Sequence, residues 1–176
     1  RWQSIGAMVG FEESSRFLRE ESPGIWWVSH PYKGAFRLEL DELNRSVSGT
    51  KTYDASAGFP DPLQINMCNL DTRMIFATSK GFYQWDAATD RMIPDGSALS
   101  NWIDVDRSYQ RIYNSPSGNI WIFADRSIRM LPLAGVSMLD DPNPRFASMG
   151  QNPVPTPFEA IEFLENGLVC IPIERG

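Results

Sequence analysis

Few side chains in this sequence could do acid, base, nucleophile or metal chemistry, and they are scattered. The chain of 176 residues has one histidine, His30, and two cysteines, Cys68 and Cys170, about a hundred residues apart. One imidazole and two thiols without a Cys-x-x-Cys pair cannot assemble a zinc site. Each cysteine sits in an apolar stretch and reads as a small buried hydrophobe. A disulfide needs its two Cβ atoms within a few ångströms, and the two cysteines fall in different sequence repeats. Asp104, Asp106, Asp140 and Asp141 are the acids that stand out. Paired carboxylates serve glycoside hydrolysis or calcium binding, but Asp104-Val105-Asp106 lacks the other ligands of an EF-type loop, and solvated loop charge is the simpler reading. His30-Pro31-Tyr32-Lys33 is a polar loop between two apolar segments. Binding residues collect on loops held by a rigid scaffold, so His30, Tyr32 and Lys33 are the candidate contacts for a ligand or partner, an ordinary polar hairpin being the simpler reading. A lone histidine without a nucleophile beside it is not a catalytic site. Trp102 joins the three as an aromatic suited to sugar stacking. No catalytic residue, metal ligand or cofactor is expected.

Composition narrows the class. Lys and Arg number 16 against 22 Asp and Glu, a formal charge of −6. Phosphate binding needs a basic stripe, and none is visible, so nucleic acid is not an expected partner. Apolar residues make up 42%, enough for a core, while 13 Gly, 13 Pro and 12% aromatics favour a turn-rich β fold. No apolar run approaches the roughly 20 residues that cross a bilayer as a helix. The chain opens on Arg1 with neither an initiating Met nor a basic-then-apolar leader, and reads as a mature or trimmed piece.

The elements that would hold these residues repeat. Gly24-Ile25-Trp26-Trp27-Val28-Ser29 and Gly118-Asn119-Ile120-Trp121-Ile122-Phe123 are 94 residues apart, each preceded by Ser-Pro. Half that interval falls on Thr72-Arg73-Met74-Ile75-Phe76-Ala77, and a fourth copy follows at Asn166-Gly167-Leu168-Val169-Cys170-Ile171. Trp27, Ile75, Trp121 and Val169 are thus spaced by 48, 46 and 48 residues. Gly34–Glu39, Gly81–Asp86 and Ser127–Leu131 recur as a following strand, and Arg16–Arg19, Leu63–Met67, Tyr109–Tyr113 and Phe158–Phe163 as a preceding one. A looser fourth strand, such as Val47–Tyr53, closes the unit. Four short antiparallel strands in about 47 residues is the size of a β-propeller blade. The only hint of helical spacing is Glu12 to Leu18. The expected fold is all-β, an incomplete β-propeller of about three and a half to four four-stranded antiparallel blades. Its units run over about 14–54, 62–96, 108–150 and 157–176, with 1–10 as the outer strand of a blade whose remainder is absent. Trp27, Trp121, Phe36, Phe76 and Tyr83 recur in register and belong to the core. The Pro-rich stretches at 141–144 and 152–157 are loops between or at the rim of blades. Unpaired strand edges and uncovered blade faces are sticky, so self-association is expected.

The stretch from Gly24 to Leu38, with Gly81–Asp86 and Gly118–Ile122, resembles the repeats of bacterial two-component regulator propellers. Those repeats read as a turn glycine, an apolar pair ending in Trp, a polar loop, then Gly, an apolar-aromatic pair and a basic residue. The likeness covers about Arg16 to Ile173, and Ser127 departs from it where Gly is expected. Ser115–Trp121 is also similar to the Asp-box turn of sialidase propellers, but the acid is missing and the spacing is one residue short. The regulator resemblance implies a non-catalytic sensor segment of a membrane-bound signalling receptor. It implies a periplasmic or other extracytoplasmic location and, in carbohydrate-responsive members, an oligosaccharide ligand. Nothing in it implies insertion of this segment into the membrane. Two rival readings stand beside it: a carbohydrate-active propeller enzyme with acids converging on the central funnel, and a rigid protein-interaction scaffold.

Overall fold

The computed structural model describes residues 9–41, 43, 45–70, 73–96, 109–115, 119–124, 127–131, 147–148, 162–163 and 169–170. The first sheet is formed by β1 (Phe17–Ser22), β2 (Ile25–His30), β3 (Gly34–Asp41) and β4 (Ser46–Tyr53). The second is formed by β5 (Asn66–Leu70), β6 (Arg73–Thr78), β7 (Gly81–Asp86) and β8 (Arg91–Pro94). A third contains β9 (Tyr109–Asn114), β10 (Ile120–Ala124), β11 (Ser127–Leu131) and the two-residue β12 (Ala147–Ser148); β13 (Glu162–Phe163) pairs with β14 (Val169–Cys170). Within every sheet, neighbours in sequence are antiparallel neighbours in space. This hairpin-after-hairpin order is what short turns between strands of alternating pattern dictate. It is the strand order of propeller blades.

The pairing register confirms the sequence repeat. Trp27 lies opposite Arg19, Ile75 opposite Cys68, Trp121 opposite Tyr113 and Val169 opposite Phe163. One position along, Glu20, Asn69 and Asn114 are therefore equivalent. They are also linked: Asn69 Nδ2 donates to the Glu20 carbonyl at 2.8 Å, and Asn114 Nδ2 donates to the Asn69 carbonyl. The first strands of the second and third sheets are thereby each tied to the first strand of the sheet before, while β9 packs on β5 and β6.

The seam between the first two sheets holds the main core. Trp27, Ala35 and Tyr53 from one side meet Met67, Met74, Phe76 and Met92 from the other, with Phe59 and Ile65 supplied by the connection between the sheets. Trp27 is fully buried. Its ring centroid lies 5.0 Å from Tyr53, 4.9 Å from Phe76 and 6.2 Å from Trp85. Covering roughly 200 Å² of indole at about 25 cal/mol per Å² is worth on the order of 5 kcal/mol. The opposite face of the first sheet carries a second cluster of Val28, Phe36 and Leu38, onto which Phe11 folds edge-on at 5.4 Å from Phe36.

Two details differ from the sequence reading. The second sheet begins at Asn66 rather than Leu63, because Gln64 takes a positive φ of 51° and the Leu63 amide is drawn to Asp61 Oδ1 at 2.8 Å. No helix forms over Glu12–Leu18; Phe17 and Leu18 already pair with β2. The looser fourth strand forms as β4, β8 and the short β12. Of the stretch expected as an outer strand, residues 1–8 lie outside the described residues, and Val9 makes one parallel bridge to Ser46 at the edge of the first sheet. Among the described residues no helix is long and apolar enough to cross a membrane.

Gly34 and Gly81 both start a third strand at positive φ, 86° and 106°. A Cβ on Gly34 would run into the Tyr53 carbonyl, whereas one on Gly81 meets nothing within 4 Å. Gly81→Ala is expected to cost roughly 1–3 kcal/mol for backbone strain alone. Gly34→Ala should cost more, because a backbone carbonyl must also move. Urea unfolding of the two variants against the parent chain compares them; equal losses would refute the steric account.

Candidate functional site

The loop between β2 and β3 is one residue longer than its counterpart between β6 and β7, and a side chain organises each. In the shorter turn Thr78 Oγ1 accepts the Lys80 amide at 3.1 Å and donates to the Gly81 carbonyl at 2.8 Å. In the longer one His30 takes the role. Its Nδ1 accepts the amides of Tyr32 at 3.0 Å and Lys33 at 3.1 Å. Only 8% of His30 is exposed. With Nδ1 used as acceptor, the proton of the neutral ring sits on Nε2, 3.7 Å from Glu13 Oε2. His30 is therefore a turn-forming residue, and its surface-facing chemistry is small.

Tyr32 and Lys33 are what the turn presents. Tyr32 is 73% exposed, its ring 6.2 Å from the imidazole. Lys33 Nζ reaches both oxygens of Glu13 at 2.7 Å, which fastens the segment leading into β1 across the turn. The Lys33 hydrogen bond holds the Glu13 carboxyl below its usual range against a smaller desolvation effect, with the charges of Lys33 and His30 assisting. The pair is solvent-exposed, so its energetic weight is that of a screened surface contact.

The connection between the first two sheets, residues 54–65, packs against the same turn. The Gly34 amide donates to Pro62 O at 3.0 Å and the Gln64 amide to Pro31 O at 3.2 Å. Asp61 accepts Ser79 Oγ with its other oxygen, joining the β6–β7 turn to the group. Asp54 opens the connection by accepting the Ser56 amide and hydroxyl at 2.8 and 2.6 Å, and these bonds hold its carboxyl low. Half-exposed Leu63 stands in this connection. The result is one rigid end of the two sheets, built from three loops, with Tyr32, Lys33 and Leu63 on its surface.

His30, Tyr32 and Lys33 are thus brought together; Trp102 lies outside the described residues, as do Asp104, Asp106, Asp140 and Asp141. Trp27, Phe36 and Phe76 are core residues, Trp121 is buried, and Tyr83 packs half-buried on the seam. Sequence reasoning missed Glu13, Asp61 and Leu63. Glu13 and Asp61 act through carboxylate bonds to Lys33 and Ser79, 20 and 18 residues away, and Leu63 is placed by its amide bond to Asp61; no local pattern signals the two distant bonds. Cys68 is buried without a disulfide, and desolvation pushes its thiol up to about 12, so it is inert. No group of three or more His, Cys, Asp or Glu suited to a metal ion occurs among the described residues.

Two outcomes test this end of the fold. His30→Ala removes the acceptor of two amides and should cost about 1–2 kcal/mol. Hydrogen exchange of the Tyr32 and Lys33 amides should accelerate with it; unchanged exchange would remove His30 from its turn-forming role. The Glu13–Lys33 pair stabilises with a lowered carboxylate pKa. Its contribution is fully present above the ordinary value of 4.5 and fades as pH falls through the lowered one. The Glu13 carboxyl resonance followed by NMR should therefore titrate at lower pH than in a Lys33→Met variant.

No protein-family model matches the chain, and no curated protein matches it. Solved structures do. The extracellular domain of the hybrid two-component system BT3049 from B. thetaiotaomicron matches with a TM-score of 0.52 and 17% identity over 89% of this chain. Two structures of the extracellular domain of BT4673 from the same organism match with TM-scores of 0.58 and 0.57 and identities of 12% and 13%, again over 89% of this chain. The chain spans 18%, 20% and 21% of the lengths of those three chains. At these identities the likeness is one of fold: the sheets of this chain are arranged as in a stretch of those extracellular domains.

Proposed function

We propose that the chain is a ligand-sensing, non-catalytic segment of a β-propeller in the extracytoplasmic part of a bacterial membrane-bound regulator. Its blades are the units 14–54, 62–96, 108–150 and 157–176, three and a half to four in number. The observation that carries the reading is the likeness in fold to extracellular domains of bacterial signalling systems. The three-loop end supports it. Tyr32 is an exposed aromatic on a turn held by His30, Lys33 stands beside it, and Pro62 and Gln64 clamp the turn from the inter-sheet connection. An exposed ring on a preorganised turn binds at low entropic cost. It suits a sugar face, and an oligosaccharide is the ligand class proposed, with Trp102 as a further stacking residue. The signal would pass through altered packing against neighbouring domains of the parent receptor.

Calorimetric titration of the chain with a panel of neutral oligosaccharides tests this. At least one should bind saturably, and Tyr32→Ala should weaken it at least tenfold, about 1.4 kcal/mol. A panel without a binder, or a binder indifferent to Tyr32, would reject the site.

A further inference from the structure

A second concave feature lies at the other end of the same strands. β2 and β6 run toward the His30 and Thr78 turns, so the end of β1, the start of β6 and the end of β7 gather at the opposite end of the seam. There Glu21, Trp27, Arg73, Met74, Gln84 and Trp85 line a cleft of about 270 Å³. That is near the lower limit of the roughly 300–1,000 Å³ seen for small-molecule sites, room for one ring rather than a chain of them.

One wall is internally matched. Glu21 Oε2 accepts Trp27 Nε1 at 2.7 Å and Arg37 Nε at 2.8 Å, and Oε1 accepts Arg37 Nη2 at 3.1 Å. The Arg37 guanidinium in turn lies over the Trp85 ring, 4.5 Å from its centroid. Both carboxylate oxygens are spent, so this wall offers a ligand a stiff surface rather than a free charge.

The other wall is not matched. Arg73 uses a single nitrogen, Nη1, shared at 3.4 Å with Gln84 Oε1 and at 3.4 Å with Asp95 Oδ1. Both contacts sit at the long limit for a hydrogen bond. Among the described residues Arg73 makes no other hydrogen bond, which leaves its Nε and Nη2 unspent. The Asp95 side chain is fully buried and meets the guanidinium only at Nη1. The edge of a guanidinium formed by Nε and Nη2 is the fork that takes a carboxylate with two parallel bonds. We propose that this cleft binds a small single-ring carboxylate, its anionic head on the Nε–Nη2 edge of Arg73 and its ring against Met74 and Trp85. Asp95 need not be displaced, because it occupies the opposite corner of the guanidinium. The site is separate from the Tyr32 end and does not rest on the sensing reading.

The test is an NMR titration of the indole N–H signals of the 176-residue chain, with Trp85→Phe assigning the Trp85 signal. Benzoate and cyclohexanecarboxylate are the probes, benzamide and cyclohexanecarboxamide their neutral counterparts. The carboxylates should shift the Trp85 signal saturably and the amides should not. Arg73→Gln should weaken the response at least tenfold. Arg73→Lys keeps the charge and loses the fork, so it should fall between; it also serves if the glutamine variant fails to fold. Tyr32→Ala should leave carboxylate binding unchanged. Absence of a saturable shift with both carboxylates, an equal response to the amides, or indifference to both Arg73 variants would overturn the proposal.

Discussion

The structure depends on burying one large flat side chain between two sheets that cannot be stable alone. A four-stranded antiparallel sheet of this size has two faces and too little area to bury either by itself. Trp27 projects from the second strand of the first sheet into the methionine and aromatic face of the second, and the seam closes around it. The same register position is filled by Ile75 and Trp121 in the following sheets, and both are buried. Stability is therefore shared between neighbours, as in any repeat array. The asparagine link from Asn114 to Asn69 to Glu20 adds direction to this packing, holding the first strands side by side where dispersion alone would allow sliding.

The two ends of the seam solve different electrostatic problems. At the His30 end, backbone amides exposed by tight turns are taken up by an imidazole, a threonine hydroxyl and carboxylates, so loops rich in Pro, Asp and Ser become rigid without a core of their own. At the Arg73 end, charged side chains emerge from the strands themselves and are shielded by indole rings. Arg37 and Glu21 neutralise one another in a half-buried setting, and burying either without its partner would be costly. Preorganisation at both ends comes from this satisfaction of polar groups, and it is what makes the exposed Tyr32 and the half-paired Arg73 stand out.

Much of the fold was legible because strands leave a period of two and hairpins demand glycine. Gly81–Asp86 and Ser127–Leu131 were read with the bounds the structure has, since a turn residue stands directly before or at the start of each. At the second sheet the alternation points to a start three residues ahead of the observed Asn66. Leu63-Gln64 continues the apolar-polar alternation, and only the side chain of Asp61 and the backbone bond to Pro31 pull it out of the sheet. Of the candidate site, the loop itself was visible as an insertion relative to its repeat. The inward role of His30 was not, because a histidine that accepts two amides looks the same in sequence as one that faces solvent.

From its residues alone the chain determined its element type, its repeat length, the register of its tryptophans and the place where the turn after its second strand is one residue longer than its counterpart. These are local consequences of alternation, turn chemistry and the size of a side chain. Tertiary structure decided which polar groups are consumed and which are left over. Glu13 finds Lys33, Glu21 finds Arg37 and Trp27, and Arg73 finds only a partial partner. Those outcomes depend on which strands the packing of one sheet on the next brings within about 3 Å, a distance that sequence separation does not encode.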